Sequence, residues 1–278
     1  MNKIIFAFLL SLSFTAFIAA QEDEKVKGDR NVTIKQTYID PFNSIIVGED
    51  FTVEIIYNSK ASVEVEADSN LHEYILFEVV DGTLTFKTSK RITSSRRMNI
   101  KVNYTDGLEN IEVIENGELR SLTSLELKNT TLKTTGSSRA YLNIKTNEFN
   151  YTALDKAKVK LNVNATNAVI ILSDNVRMEA LLNSKSAKID LYQRANAKLE
   201  GTLETTQLRV DNSSSFNGKE FLTDTCDLIA DMSSSATIRV NDTITIEATG
   251  NSEVYLYNEP KITLTKFTGN SKLQMRDR

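Results

Sequence analysis

An all-β fold, built as a right-handed β-helix or β-roll-like solenoid of short degenerate repeats, is predicted for this chain of 278 residues. Three observations predict it. Apolar and polar residues alternate at period two in many short segments, and a strand-and-turn unit recurs about every 19 residues towards the carboxyl end. The composition, with two prolines, no tryptophan and abundant Ser, Thr, Asn, Val, Ile and Leu, favours strands and polar turns. A β-sandwich of many hairpins is the alternative fold.

The stretch before residue 108 alternates cleanly between apolar and polar side chains. Residues 51–55, 63–67 and 98–102 place every second side chain on one apolar face, which is typical of a strand with one buried face. Asp81-Gly82 supplies one of the polar turns. Residues 71–80 follow a more helical pattern and predict one short helical turn.

Beyond Leu108 one unit repeats, built as apolar-x-apolar, a small or polar turn, and apolar-x-apolar again. Its clearest copies are 132–144, 151–163, 181–191, 228–240, 246–257 and 267–275, with irregular spacing in the middle. Such a unit cannot bury its apolar face alone, so stacking on its neighbours is expected. The small residues expected at the tight corners are Ser138, Ala157, Ser235 and Ser252.

The amino terminus has the pattern of a secretory signal. Lys3 precedes an apolar segment at 4–18, and Ala19-Ala20 forms a small-residue cleavage site before Gln21. An uncleaved amino-terminal anchor is the alternative. The predicted organisation is a signal peptide at 1–20, a flexible leader at 21–38 and a β-helical domain at 39–278 with sub-blocks of about 39–107 and 108–278. No transmembrane span is expected in the mature chain, which would be periplasmic, on the outer cell surface or secreted.

Charge and cysteine content narrow the function classes. The formal net charge is -4 with scattered basic residues, so a nucleic-acid partner is not expected. Cys226 is the single cysteine, so the fold is expected to depend on its core rather than on disulfides.

Several of these segments resemble the auto-transporter adhesin head domains of the GIN type, found in Bacteroidetes. The resemblance runs from Phe42 to the carboxyl end and rests on the strand pattern, on Ala-Asp-x-Asn-Leu at 67–71 and on Asp-Gly-x-Leu at 81–84. It implies a β-helical fold, export to the envelope, an adhesion role and no shared catalytic residues. The chain departs from the family's Gly-Ser-Gly corners, which become Gly-Ser-Ser at 136–138 and Gly-Asn-Ser at 250–252 and 269–271.

Residues that could carry chemistry are sparse, and no catalytic residue, metal site or cofactor is predicted. His72 is the single histidine and is expected to be a solvated or capping residue, while Cys226 is expected to be a buried structural thiol. Acidic residues recur near the turns, at Asp155, Asp174, Asp190, Asp211 and Asp231. They are interpreted as turn formers bonding their own backbone, with glycoside hydrolysis or calcium binding as the alternatives.

Tyrosines are the candidate ligand contacts. Tyr141, Tyr192, Tyr255 and Tyr257 lie in or beside repeat strands and could stack on sugars or on a protein partner, or else cover edges and fill the coils. The leading hypothesis is an exported, non-catalytic envelope protein with an adhesin-like binding or structural role, whose partner is an envelope protein or a glycan. The alternatives are a polysaccharide lyase or hydrolase on a β-helix scaffold, and a periplasmic scaffold or signalling partner.

Overall fold

The computed structural model describes residues 24–277. It is nearly all-β, and its parallel coils stack into a β-solenoid of about nine turns. The predicted solenoid is therefore confirmed, while the sense of the coil stays a prediction. The predicted signal peptide at 1–20 lies outside the described residues.

The first nine strands form an amino-terminal block with mixed pairing. They are β1 (Lys25–Lys27), β2 (Val32–Tyr38), β3 (Ser44–Val47), β4 (Thr52–Tyr57), β5 (Ser62–Asp68), β6 (Ile75–Val80), β7 (Thr83–Thr88), β8 (Arg91–Ser94) and β9 (Met98–Tyr104). One 3₁₀ helix, Ser69–Leu71, lies between β5 and β6. The short helical turn predicted within 71–80 is thus wrong in position, because most of that segment forms the strand β6.

The remaining strands build the regular coils. They are β10 (Asn110–Val113), β11 (Glu118–Ser121), β12 (Leu125–Glu126), β13 (Asn129–Thr134), β14 (Arg139–Lys145), β15 (Glu148–Ala153), β16 (Lys158–Asn164), β17 (Asn167–Leu172), β18 (Arg177–Leu191), β19 (Asn196–Val210), β20 (Ser215–Ala230), β21 (Ser235–Ala248), β22 (Glu253–Tyr257), β23 (Lys261–Phe267) and β24 (Lys272–Arg276).

Each coil contributes two strand runs, and equivalent runs pair in parallel into two stacks. Stack 1 contains β10, β13, β15, β17, the second halves of β18 to β21, and β23. Stack 2 contains β11, β14, β16, the first halves of β18 to β21, β22 and β24. Lys158 pairs with Arg177, which pairs with Asn196, so one coil takes 19 residues. The coils continue through 196–230, where the sequence pattern had been irregular, and their register shifts between β19, β20 and β21.

The core is a column of large apolar side chains inside the coils. Successive members lie directly over one another in stack 1, and they are Ile111, Leu132, Tyr151, Ile170, Ile189, Leu208, Leu228, Ile246 and Leu264. Every member except Leu264 is at most 2% exposed. Each fully buried side chain of this size stabilises the fold by about 1.5–3 kcal/mol relative to exposure. The hydroxyl of Tyr151 lies 3.0 Å from Oγ1 of Thr134, so the one polar group of this column is hydrogen-bonded.

One corner of every coil uses the left-handed backbone conformation at the same position. The residues with positive φ there are Glu49, Glu115, Gly136, Asp155, Asp174, Gln193, Asn212, Met232, Gly250 and Gly269. Their carbonyls stack, since N of Lys156 donates to O of Gly136 and N of Asn175 donates to O of Asp155, both at 2.8 Å. Two residues further on a small side chain points inward at most of these corners. Ser138, Ala157 and Ser252 take this place, as predicted. In the coil whose corner is Met232, the small inward residue is Ser234 and not the predicted Ser235.

The amino-terminal block closes one end of the solenoid. Stack 1 continues through β3 and β7 to the antiparallel strand β6, and stack 2 continues through β4 and β9 to β5 and β2. Aromatic side chains fill the space between the two layers, with the rings of Phe51 and Phe86 5.9 Å apart. The turn at Asp81-Gly82 has φ of 49° and 73°, which suits the tight hairpin between β6 and β7.

The described part of the predicted flexible leader is ordered instead. β1 pairs with β8, and β2 pairs along its whole length with β5. The buried carboxylate of Asp68 accepts hydrogen bonds from the backbone N of Arg30 and of Arg96, both at 3.1 Å. Nδ2 of Asn70 donates to O of Lys27 at 2.9 Å. The polar Ala-Asp-x-Asn-Leu element therefore holds this segment, and sequence polarity alone was misleading because the partners lie about 40 residues away.

Candidate ligand-contact face

The outward side of stack 2 carries the candidate site. Strand pairing places Arg120, Tyr141 and Lys160 side by side on three successive coils. The guanidinium of Arg120 lies 4.6 Å from the ring centroid of Tyr141, and its Nε donates to Oε1 of Glu118 at 2.6 Å. The cation fixes the half-buried ring without covering it completely, so the ring can still form one wall of a ligand site.

Two shallow depressions lie next to each other on these coils. The first, here called the Tyr141 cleft, has a volume of about 530 Å³ and is lined by Glu54, Arg120, Ser121, Leu122, Tyr141, Leu142, Asn143, Lys160, Leu161 and Asn162. The second, here called the corner groove, has a volume of about 570 Å³ and is lined by Glu126, Leu127, Lys145, Thr146, Asn147, Asn164, Ala165, Thr166, Asn183, Ser184, Lys185 and Thr202. The same strands β14 and β16 run from one into the other, so together they form an extended surface.

Amide and hydroxyl groups form a ladder along the corner groove. Nδ2 of Asn183 lies 3.4 Å from Oδ1 of Asn164, and Oδ1 of Asn183 accepts from N of Thr202 at 3.1 Å. On its far side, Oγ of Ser186 donates to Oδ1 of Asn167 at 2.7 Å. The ladder pre-orients its side chains, and each amide retains further donor or acceptor capacity for a ligand.

The four predicted tyrosines do not form one site. Tyr141 and Tyr255 belong to the same outward column of stack 2, but six coil steps separate them, which is about 29 Å. Tyr255 and Tyr257 lie near each other at the carboxyl-terminal end. Tyr192 lies at the corner before Gln193, away from both groups.

The carboxyl-terminal pair is enclosed by charged side chains. The guanidinium of Arg276 lies 4.7 Å from the Tyr255 ring, and the Tyr255 hydroxyl donates to Oε2 of Glu253 at 2.7 Å. That hydrogen bond to a carboxylate raises the pKa of the Tyr255 phenol. Tyr257 lies between the cations of Lys219 and Arg239, at 5.6 and 5.7 Å. These contacts leave Tyr141 as the tyrosine that lines a cleft, while the ligand role of all four stays a prediction.

The recurring carboxylates mostly accept hydrogen bonds from the backbone. The interpretation that each bonds its own turn holds for Asp211 and Asp231, whereas Asp155 and Asp174 accept from the preceding coil. Oδ2 of Asp155 accepts from N of Gly136 at 2.8 Å, and Oδ2 of Asp174 accepts from N of Asp155 at 3.1 Å. Asp211 and Asp231 each accept from the next residue's N, at 2.5 and 2.7 Å. Asp190 is on the outward side of stack 1 but only 8% exposed, and its Oδ2 lies 3.6 Å from Nζ of Lys188. Over residues 24–277, no three His, Cys, Asp or Glu side chains converge as a metal site would require.

The single histidine and the single cysteine have structural surroundings. His72 occupies the C-cap position of the 3₁₀ helix, and its Nε2 lies 2.9 Å from Oγ1 of Thr33 on β2, so its ring contacts a neighbouring strand. Cys226 is buried inside the coils at 3% exposure, and this burial raises the pKa of its thiol. The expected burial of the Cys226 thiol is confirmed, and burial disfavours the thiolate that reactivity requires.

Sequence reasoning missed most residues that line this face. Arg120, Asn143 and Lys160 belong to different coils, and the corner amides Asn164 and Asn183 carry no recognisable motif. The available signal was their spacing, since Asn164 and Asn183 are 19 residues apart. Outward positions tolerate many polar residues, so this spacing becomes informative only once the coil register is known.

Fold and site together define a class: a β-solenoid protein with an open, polar face rather than an enclosed pocket. The chain belongs to the family described as "putative auto-transporter adhesin, head GIN domain", whose sequence profile matches residues 41–181 and 155–260. The resemblance seen in the sequence is thereby confirmed. No curated protein matches the chain.

Solved structures share the fold at low sequence identity. A putative adhesin from Parabacteroides merdae is 17% identical with a TM-score of 0.64, covering 91% of this chain and 99% of the other. A putative lipid binding protein from Parabacteroides distasonis is 15% identical with a TM-score of 0.66, covering 91% and 100%. A putative adhesin from the same organism is 18% identical with a TM-score of 0.61, covering 92% and 100%. In the part of this chain that is described, no helix has the length and apolar character of a membrane span.

Proposed function

We propose that this protein is an exported, non-catalytic envelope protein that binds an extended glycan along the Tyr141 cleft and the corner groove, in an adhesin-like role. The observation that carries the proposal is the open face itself, where a tyrosine wall continues into a ladder of amides and hydroxyls across several coils. An open track of this kind fits a chain-like ligand, whereas small-molecule sites are usually enclosed and mostly apolar.

The interior and the corners support binding at this outer face over two other functions, lipid binding inside the coils and catalysis. Leu132, Tyr151 and Ile170 fill the inside of the coils, which leaves no internal channel at these levels for a lipid tail of the kind that one neighbour's name suggests. A lyase or hydrolase would need carboxylates directed at a substrate, and those of Asp155 and Asp174 are engaged by backbone N–H groups. Export is inferred from the signal pattern at 1–20 and from the family's description.

The binding test compares two tyrosines that are both partly exposed. Wild-type protein, Tyr141→Ala and the matched control Tyr192→Ala are titrated with a panel of polysaccharides. We expect Tyr141→Ala to weaken binding about three- to tenfold, since a stacked ring contributes about 0.5–1.5 kcal/mol beyond area burial, and Tyr192→Ala to leave it unchanged. Equal loss in both variants, or binding by neither wild type nor variants, would contradict the site.

Two further measurements test the remaining parts of the proposal. Amino-terminal sequencing of the mature protein should give Gln21, and protease treatment of whole cells should degrade it if it is exposed on the surface. Protection until the outer membrane is opened would favour the periplasmic scaffold alternative. Release of shortened or unsaturated sugars from any polysaccharide of the panel would overturn the non-catalytic assignment.

A further inference from the structure

Charged residues that neighbour each other across coils are mostly of opposite sign. Nζ of Lys160 lies 3.0 Å from Oε2 of Glu179 on the next coil. Lys266 pairs with Glu247 at 3.2 Å, and Lys272 pairs with Glu253 at 2.9 Å. Because strands of neighbouring coils lie about 4.8 Å apart, a like-charged pair directly across a ladder is destabilising. An uninterrupted run of like charges along a ladder is therefore unfavourable for the fold and calls for an explanation.

One outward column of stack 2 breaks this pattern. Arg139 pairs with Lys158, and Lys158 pairs with Arg177, so three exposed basic residues stack on successive coils. It is the longest run of like charge on a strand ladder within residues 24–277, and it is here called the basic row. Arg139 forms an ion pair with Glu118, in which its Nη1 lies 3.6 Å from Oε2 of Glu118. The other carboxylate oxygen of Glu118 pairs with Arg120. Lys158 and Arg177 make no ion pair with any described residue.

The basic row lies directly beside the Tyr141 cleft. Arg139 is two residues before Tyr141 on β14, and Lys158 is two residues before Lys160 on β16. Residues two apart on a strand share a face at about 7 Å separation. A ligand that places its rings in the cleft therefore has substituents within reach of the row.

We propose that the basic row binds the acidic groups of an anionic polysaccharide whose sugar rings lie in the Tyr141 cleft. This inference rests on the proposed glycan-binding function and specifies the ligand class. Carboxylates or sulfates repeated along a polymer neutralise the stacked charges, so binding relieves the repulsion that the free protein carries. Local arrangements that lower the stability of the fold are expected at functional sites, because the function requires them.

The test uses polygalacturonate and dextran sulfate as carboxylated and sulfated probes, and dextran as the neutral probe. The protein is wild type, the double variant K158A/R177A, and the control Lys188→Ala, which removes an exposed lysine from the outward side of stack 1. We expect wild type to prefer an acidic probe over dextran, with affinity that falls as salt rises. The affinity of the double variant for the acidic probe should fall about tenfold, and its affinity for dextran should not change. The control should bind all probes like wild type.

The outcomes separate this inference from the proposed function. If dextran and the acidic probes bind equally, and Tyr141→Ala weakens the binding of both, the anionic specificity is overturned while the proposed glycan-binding function is supported. Binding to neither kind of polysaccharide contradicts both. Salt-sensitive binding to vesicles of anionic lipid without binding to the acidic probes also overturns the inference, since the charge would then serve a membrane surface.

A ligand-free measurement tests the premise of stored repulsion. Lys158→Glu places a carboxylate between Arg139 and Arg177, so we expect its melting midpoint to rise by about 1–2 °C at low salt and to return towards wild type at high salt. A lower midpoint at low salt would show that the row is not repulsive in the free protein, and the inference would fail.

Discussion

The two ends of the solenoid differ in how they finish the stack of coils. At the amino-terminal end the strands β5, β6 and β2 run antiparallel to their neighbours and cover the first coil. Lys35 of β2 lies opposite Val65, on the core-facing side of an edge strand. Charged side chains in that position discourage further strand pairing.

Within residues 24–277, no further coil covers the carboxyl-terminal coil. Leu264, Phe267 and Met275 stand at core positions, yet they are 49%, 39% and 50% exposed. One coil earlier in the same columns, Ile246 and Ala248 are fully buried. The open coil carries the basic residues Lys261, Lys266, Lys272 and Arg276, of which Lys266 and Lys272 pair with Glu247 and Glu253 of the previous coil. Positive charge at an open edge opposes self-association, so the two ends control their edges by different means.

An apolar side chain at an inward position is therefore buried only where the next coil covers it, and its residue type alone does not bury it. This predicts the largest effect. Leu228 and Leu264 occupy the same column, so Leu228→Ala should lower the free energy of unfolding by about 2–5 kcal/mol and Leu264→Ala by less than about 1.5 kcal/mol. Urea titration of both variants gives the two values. Equal losses would mean that Leu264 is covered in solution and that the end is not open.

The next effect concerns the closed end. Asp68→Ala leaves the backbone N–H groups of Arg30 and Arg96 without their buried acceptor, so we expect a loss of about 1–3 kcal/mol. Hydrogen exchange should show faster exchange for the amides of β1 and β2, with the coils beyond β13 unchanged. Uniform acceleration over the whole chain would mean that the block and the solenoid unfold as one unit.

The smallest effect is a loss of stability at alkaline pH. Burial raises the pKa of the Tyr151 phenol and the Cys226 thiol, and it raises that of Tyr104 to about 12. The unfolded-state pKa is near 9 for the thiol and near 10 for the phenols. A group whose pKa is raised by folding contributes its full stabilisation below its unfolded-state pKa, and this stabilisation is lost as the pH rises above that pKa. Each group costs about 1.4 kcal/mol per pH unit there.

Tyr151→Phe isolates one of these groups. Between pH 9 and pH 11 its stability should fall less steeply than that of wild type, by about 1 kcal/mol, even though the variant loses the hydrogen bond to Thr134. Tyr192→Phe, at a partly exposed corner, serves as the control and should follow wild type. Identical slopes for Tyr151→Phe and wild type would show that Tyr151 ionises as freely in the folded state as in the unfolded one.

Particular residues show how far sequence reasoning reached. Alternation at period two identified the inward Leu132, Leu228 and Ile246, and the recurring turns identified the corner aspartates, because both patterns are local in the chain. Order at 24–38 was missed because Asp68 and Asn70 hold that segment from a distance. Tyr141 was selected without its neighbours Arg120 and Lys160, which come from other coils.

The amino-acid sequence by itself determined that the chain is an all-β solenoid of the adhesin-head type and, for the coils with a clear repeat, which residues point inward and where the chain turns. Only the tertiary structure decided which outward side chains become neighbours, and hence that a basic row lies beside a tyrosine-lined cleft while Tyr255 lies far away. The physical reason is register: lateral neighbours come from strands about 19 residues apart, and a slip of a single residue would send every one of them to the opposite face.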